Sequence, residues 1–427
     1  MKKLLFTILF SAIFSILLGT AVANAQDYYV SNSGSDSNSG MSQEKPWKTV
    51  DKVNYFKKFK PGDVIRFKCG NEWREQLVPM SGSEKGYIEY TSYGTGEKPA
   101  FLGSINKSKV SDWTCSSKNI WTLKVSEPIK KDVGNIIFDH GTSFGIKVLS
   151  EKELDEQNKF WYDGKTVKIY SLKNPAELYK DIECAINQYI VDEGSKSYVK
   201  YSDLSVKYGA AGGIGGGDTH HIIVSNCDVS YMGGGLLTET LRFGNGIEFW
   251  GNAHDNLVEG CKIWEIYDAA LTNQGGGDKV IQYNITYTNN TIWNCEWSYE
   301  FWNCSQNGKT HNVHFENNVC RNAGYGWGHA QRPNKSGMHI CFSDNTADTN
   351  GIYVENNVFE YSESCTMYVA KVWRGVETLV FKNNHYAQTP NKIIVAWEVK
   401  SKIYFTNEFE TYKRDTGNDV NSDAASI

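Results

Sequence analysis

Several protein classes are excluded by what this sequence lacks. Its ten cysteines contain no Cys-x-x-Cys, and pairs such as Cys295 and Cys304 match no zinc spacing, so no metal knuckle is expected. There is no basic run, and a net charge of −5 with a pI of about 6.0 argues against nucleic acid as a partner. After residue 18 no apolar stretch is long enough to cross a bilayer, so no membrane insertion is expected. The C-terminal half shows no helical periodicity; its apolar residues come in short alternating runs.

The N-terminus reads as an export leader over residues 1–25. Lys2 and Lys3 precede an apolar stretch over 4–18, and Ala23-Asn24-Ala25 offers small residues for cleavage before Gln26. No cysteine lies near that point, so a lipid anchor is not expected. The chain is expected to be secreted, to the periplasm or the exterior, and to be a monomer.

A pattern repeats between residues 198 and 398. Seven segments align: Asp203-Leu204-Ser205, Asn226-Cys227-Asp228, Gly260-Cys261-Lys262, Asn289-Asn290-Thr291, Asn317-Asn318-Val319, Asn356-Asn357-Val358 and Asn383-Asn384-His385. Their middle residues step by 23, 34, 29, 28, 39 and 27 positions. A variable period built from short β-runs marks a solenoid, in which each coil buries its apolar face only by stacking on its neighbours. Asparagine suits the stacked turn, because it tolerates left-handed backbone and its amide can bond to the same side chain in the next coil. Cys227, Cys261, Cys295 and Cys320 fall at coil positions that suit buried thiols, and export leaves one disulfide open.

Residues 26–405 are therefore read as one all-β domain, a right-handed parallel β-helix. Residues 46–53 are expected to form a short helix capping the open end of the stack. Residues 104–197 break the rhythm and read as a β-rich lateral insertion, with a hairpin over 161–170 turning at Asp163-Gly164. Residues 198–398 form the regular coils. Residues 406–427 are a tail, which from 415 on is polar and small and is expected to fray.

Tyr28-Tyr29-Val30-Ser31, the Ser/Gly/Asp loop after it, Pro46-Trp47-Lys48-Thr49, Pro61-Gly62-Asp63-Val64-Ile65 and Gly86-Tyr87-Ile88 together resemble the start of secreted right-handed parallel β-helix proteins, the pectate-lyase-like carbohydrate-active enzymes. The resemblance covers this opening and the asparagine coils. It implies a polysaccharide or oligosaccharide substrate but no single reaction, since the superfamily holds hydrolases, lyases, epimerases and adhesins.

The strands that follow the asparagine turns carry the chemistry. Glu248, Asp268 and Glu300 are expected on one face in three successive coils, followed by His329, Arg332 and Lys371, with Trp250, Asn273, Trp302, Trp327 and Gln331 among them as sugar contacts. Coils rise by about 4.8 Å, so carboxylates one or two coils apart meet the spacing of glycoside hydrolysis. His329, Arg332 and Lys371 suit the rival chemistry, β-elimination at a uronate, which needs a base and a cation. No cofactor is required for the first reading; Ca²⁺ would accompany the second, although no tight Asp cluster is visible and Arg332 directly precedes Pro333, unlike the Arg-x-Pro pattern of pectate lyases. Asp218, His220 and His221 are too isolated to read as a metal site. A binding or adhesion solenoid is the third class, disfavoured by irregular repeats and one chemically loaded face. Hydrolysis by paired carboxylates is the favoured expectation.

Overall fold

The computed structural model describes residues 25–123 and 132–426; the leader expected over residues 1–25 lies, except for Ala25, outside them. The chain is an all-β, right-handed parallel β-helix. One wall is a parallel sheet of ten strands, from Glu72–Trp73 to Asp423–Ser426. The other two walls belong to a sheet of seventeen strands. Ile214–Ser225 and Ile247–Glu259 contribute to both walls. The register shifts where they bend, after Gly217, and Gly251 takes the left-handed backbone that the corner requires (φ +69).

Inward residues of every coil stack into one core. Ile222, Val258, Tyr287, Phe315, Val354 and Phe381 belong to it, and none is more than 2% exposed. Aromatic rings follow one another up the stack, as in Tyr299–Phe315 and Phe315–Phe359. The solenoid thus buries along its length what no single coil could bury.

The turn between the second and third walls is the repeated element. Its first residue is left-handed in every coil: Asp203, Asn226, Gly260, Asn289, Asn317, Asn356 and Asn383 all have φ between +48 and +62. The second residue points inward and is fully buried. Asn290 donates from both its backbone nitrogen and its side-chain amide to Asn318 Oδ1, at 2.9 and 3.0 Å. Asn318 does the same to Asn357, and Asn357 to Asn384. Each amide also donates to a backbone carbonyl, for example Asn318 to Tyr287. Every polar atom in a dry turn is therefore paired.

The ends and the insertion refine the reading of the sequence. The first helix is Val50–Tyr55, not 46–53. Trp47 is held as a β-bridge to Val30, and Thr49 caps the helix by accepting from the Lys52 backbone nitrogen. Between Ser104 and Ile186 lie an antiparallel sheet of four strands and a second sheet of five, around a separate core of Trp113, Phe138, Phe160 and Ile169. The hairpin Lys159–Tyr162 with Val167–Tyr170 turns through a four-residue loop, pinned by the Asp163 carboxylate accepting from the Lys165 and Thr166 backbone. All ten cysteines are free thiols, and Cys227, Cys261, Cys295 and Cys320 are buried.

The expectation of a fraying tail is corrected. Phe409–Thr416 is a helix whose Phe409 and Tyr412 enter the core, and Asp423–Ser426 pairs with His385–Gln388. The physical reason is the ladder: Ser422 accepts from the Asn384 backbone at 2.8 Å, and Asp419 accepts from its amide at 3.2 Å. The polar tail supplies the next rung.

Replacing Asn318 with Leu should take from the Asn290 backbone nitrogen its side-chain acceptor and from the Tyr287 carbonyl its side-chain donor inside the stack. We expect a loss of about 1–3 kcal/mol in denaturant unfolding; an unchanged midpoint would show that the ladder carries no stability.

Candidate active site

On the first wall, strand alternation decides which side chains face out. The rungs Ile247–Glu259, Ala269–Gly275 and Trp297–Asn303 pair in parallel, with Glu248 opposite Thr272 and Thr272 opposite Glu300. One row further along the strands, Trp250 is opposite Gln274 and Gln274 opposite Trp302. Phe249, Asn273 and Phe301 lie between these rows and point into the core. Glu248 and Glu300 thus lie two coils apart, about 9–10 Å at the backbone.

Segments outside the regular coils wall these rows into a cleft of about 560 Å³. The hairpin Gly235–Leu236 with Arg242–Phe243 brings Leu237, Leu241 and Arg242; the irregular stretch before the coils brings Tyr189; the chain after the short helix Trp327–Gln331 brings Arg332. Glu248, Asp268 and Glu300 all line the cleft. Their exposures of 6%, 9% and 7% decide their chemistry, because carboxylates so dry resist ionisation unless partnered.

The three are partnered differently. Glu248 accepts from the Tyr189 hydroxyl at 3.0 Å and from the Asn245 amide. Burial raises its pKa, and these two bonds oppose the rise. Asp268 accepts from the Gly244 backbone nitrogen at 2.8 Å and is ion-paired with Arg332. Burial raises it as well, while the guanidinium favours its charged form. Glu300 accepts one bond, from the Gln274 amide at 2.7 Å. Burial, then the charges of Asp268 and Glu248, push it up to about 8. Thr272, between Glu248 and Glu300 in the row, buries a hydroxyl with no partner among the described residues.

The second guanidinium completes the floor. Arg242 and Arg332 stack on Tyr267, at 4.7 and 4.8 Å from its ring centre. Arg242 is spent on the carbonyls of Gly134 and Gly234 and on Gln331, so it holds the insertion and the hairpin against the coils. At the mouth, Trp250 and Trp302 meet edge to face at 5.3 Å, and Trp250 is 39% exposed.

One candidate named from the sequence lines the cleft out of its expected place, and five others are not brought into it. Asp268 lines it, but not as a rung: it precedes its strand, and Thr272 holds the place between Glu248 and Glu300. Asn273 is corrected from sugar contact to core residue; it accepts from the Tyr299 hydroxyl at 2.8 Å and donates to Gln282. Trp327 packs between Phe144 and Tyr267, its indole nitrogen bonded to the Glu265 carbonyl. Gln331 accepts from the Lys147 backbone and donates to the Gly145 carbonyl, a tie to the insertion. His329 lies in the short helix and bonds to Glu296 at 2.9 Å; Lys371 is exposed in a loop beyond the cleft. Eight residues that line the cleft escaped the sequence reading, Leu237, Leu241, Phe243 and Asn245 among them. Gln274 and Trp297 lay within reach, being on strands already singled out; Tyr189 and Arg242 come from irregular stretches with no repeat to place them.

A larger cavity of about 950 Å³ opens at the C-terminal end, between Trp397, Tyr404 and Asn418. Its two lining carboxylates, Glu377 and Asp415, are both exposed, and Asp415 faces Lys402, so neither is dried as the three of the smaller cleft are, and the smaller cleft is the candidate site.

Arg332→Leu should strand the Asp268 charge in a dry pocket. Breaking a buried pair from one side costs about 3–5 kcal/mol, so the melting temperature should drop clearly, and adding Asp268→Asn should restore part of it, since Arg332 also faces the buried Glu296 at 3.5 Å. Equal melting for wild type and Arg332→Leu would mean that the pair is not buried as described.

No family model matches the chain. Among curated proteins it is similar to a lacto-N-biosidase of Bifidobacterium longum subsp. longum, 30% identical over 99 residues. That match covers 22% of this chain and spans only 6% of that protein's length. Among solved structures it is similar to XylC with xylose, with a TM-score of 0.49 and 14% identity over 86% of this chain and 71% of that one. It is also similar to the GH136 lacto-N-biosidase from Eubacterium ramulus, with a TM-score of 0.49 and 12% identity over 94% and 68%. A third is pectate lyase Pel9A, with a TM-score of 0.39 and 14% identity over 85% and 80%.

Proposed function

We propose that the chain is an exported glycoside hydrolase that cleaves a polysaccharide or oligosaccharide in this cleft. The observation that carries the reading is Glu300, a dry carboxyl pushed up to about 8 beside two further carboxylates. Such a group holds its proton at neutral pH and can give it to a glycosidic oxygen as that bond breaks. The charged partner in this reading is Asp268, which is ion-paired with Arg332; it would stabilise the positive charge that develops on the sugar. Glu248, bonded to neutral donors only, is suited to holding sugar hydroxyls. Trp250 and Trp302 offer apolar rings at the mouth for sugar faces. Two of the groups that β-elimination called for, His329 and Lys371, stand away from the cleft lining, which favours hydrolysis.

The test is product analysis on a panel of glycans. New reducing ends without the ultraviolet absorbance of a conjugated double bond are expected; that absorbance would identify a lyase and overturn the reading. On the substrate so found, Glu300→Gln should lose on the order of 10²–10⁴ in turnover. The sign of the pH dependence follows from the role: the donor works only while protonated, so kcat/KM should fall as pH rises through about 8. Wild-type turnover by Glu300→Gln would remove Glu300 as donor.

A further inference from the structure

A second cluster stands on the neighbouring wall, away from the cleft. His220, His254, Tyr283 and His311 occupy one row of successive coils. Their rings stack like a column: His220–His254 at 4.8 Å and 3°, His254–Tyr283 at 4.6 Å and 1°, Tyr283–His311 at 5.0 Å and 14°. Beside this row runs a second, in which each coil takes one left-handed residue: His221, Asp255, Asn284 and Asn312, with φ of 53 to 55. Asn312 donates to Asn284 at 2.7 Å and Asn284 to Asp255 at 2.8 Å. The next place would suit another Asn or Asp. It holds His221 instead, whose ring lies on Tyr198 at 4.3 Å and whose Nδ1 is 3.0 Å from His220 Nδ1.

We propose that His220, His221 and His254 bind one divalent transition-metal ion of the imidazole-preferring kind, such as Zn²⁺ or Cu²⁺. Their ligand nitrogens lie within 4.8 Å of one another. An ion at about 2.0–2.1 Å from each nitrogen would need the stacked His220 and His254 rings to turn about their side-chain torsions, because parallel imidazoles do not aim both lone pairs at one point; both side chains are only half-buried. The second observation is Asp255. It lies 2.7 Å from His254 Nδ1 and accepts a hydrogen bond from it, which keeps the ring proton on Nδ1 and leaves Nε2 as the nitrogen with the lone pair to offer an ion. A carboxylate behind a ligating imidazole fixes its tautomer and raises its basicity. The two coils concerned are in register at His220 and His254, so the ion would clip neighbouring turns of the solenoid together. Asp255 is a positioning residue here, acting through His254.

The sequence could not show this group, because His254 is 34 residues from His220 and joins it only through the coil register.

The experiment uses tag-free protein stripped with a chelator. Calorimetric titration with Zn²⁺ should give one equivalent bound, and saturating Zn²⁺ should raise the melting temperature, as any ligand of the folded state does. With Cu²⁺, electron paramagnetic resonance should show nitrogen coupling. His254→Ala and His221→Asn should each weaken Zn²⁺ binding at least tenfold; the second variant restores the residue type of the row and so keeps the fold. Asp255→Asn should weaken binding while leaving the nitrogen coupling in place. His385→Ala, at the far end of the solenoid, should bind as wild type does. No stoichiometric binding, or binding that survives both His254→Ala and His221→Asn, would overturn the site and mark an adventitious ion only.

Discussion

Everything in this protein depends on the hydrogen bonding of one coil to the next. Parallel strands hold the rise at a single strand spacing, and a side chain can neither drift along the stack nor change walls without breaking that register. The asparagine turns lock the register from inside. Each amide joins its own coil to a backbone carbonyl and to the asparagine of the following coil, so slipping one coil by one residue would orphan several buried polar groups at once. The same rule carries the chain past its last asparagine, where Asp419 and Ser422 continue the contact and bind the terminal helix and strand to the stack.

A rigid register turns position into chemistry. Glu248, Thr272 and Glu300 form an outward row because the strands beneath them are locked, and the irregular segments then close over the row and dry it. Three carboxylates in one dry cleft cannot all ionise at little cost. The partners divide the burden. Arg332 favours charge on Asp268, two neutral donors soften the burial of Glu248, and Glu300 has a single amide and two acidic neighbours. The asymmetry of partners, more than the acidic residues themselves, is what distinguishes a proton donor from a charged group.

Much of this was legible in the sequence, and the limits have physical causes. The asparagine turns were visible because left-handed backbone and a stacking amide ask for one residue type at one place. Glu248 and Glu300 were visible because alternation puts them on a common face with Trp250 and Trp302. Asp268 was assigned to the same row by composition, although its strand starts one residue later and Thr272 fills the rung. Asn273 was misread by a single residue, which in a strand is the difference between solvent and core. Tyr189, Arg242 and the imidazole trio were out of reach for another reason: their partners come from irregular segments or from a coil some thirty residues away, and only the folded register joins them.

The central claim is that one carboxyl of the cleft keeps its proton at neutral pH. Infrared difference titration of wild type against Glu300→Gln reads this directly, with no substrate needed. The account predicts a protonated-carboxyl band that is present at pH 6, fades as pH rises through about 8 and is missing from the variant. A Glu300 carboxyl already ionised at pH 6 would contradict it.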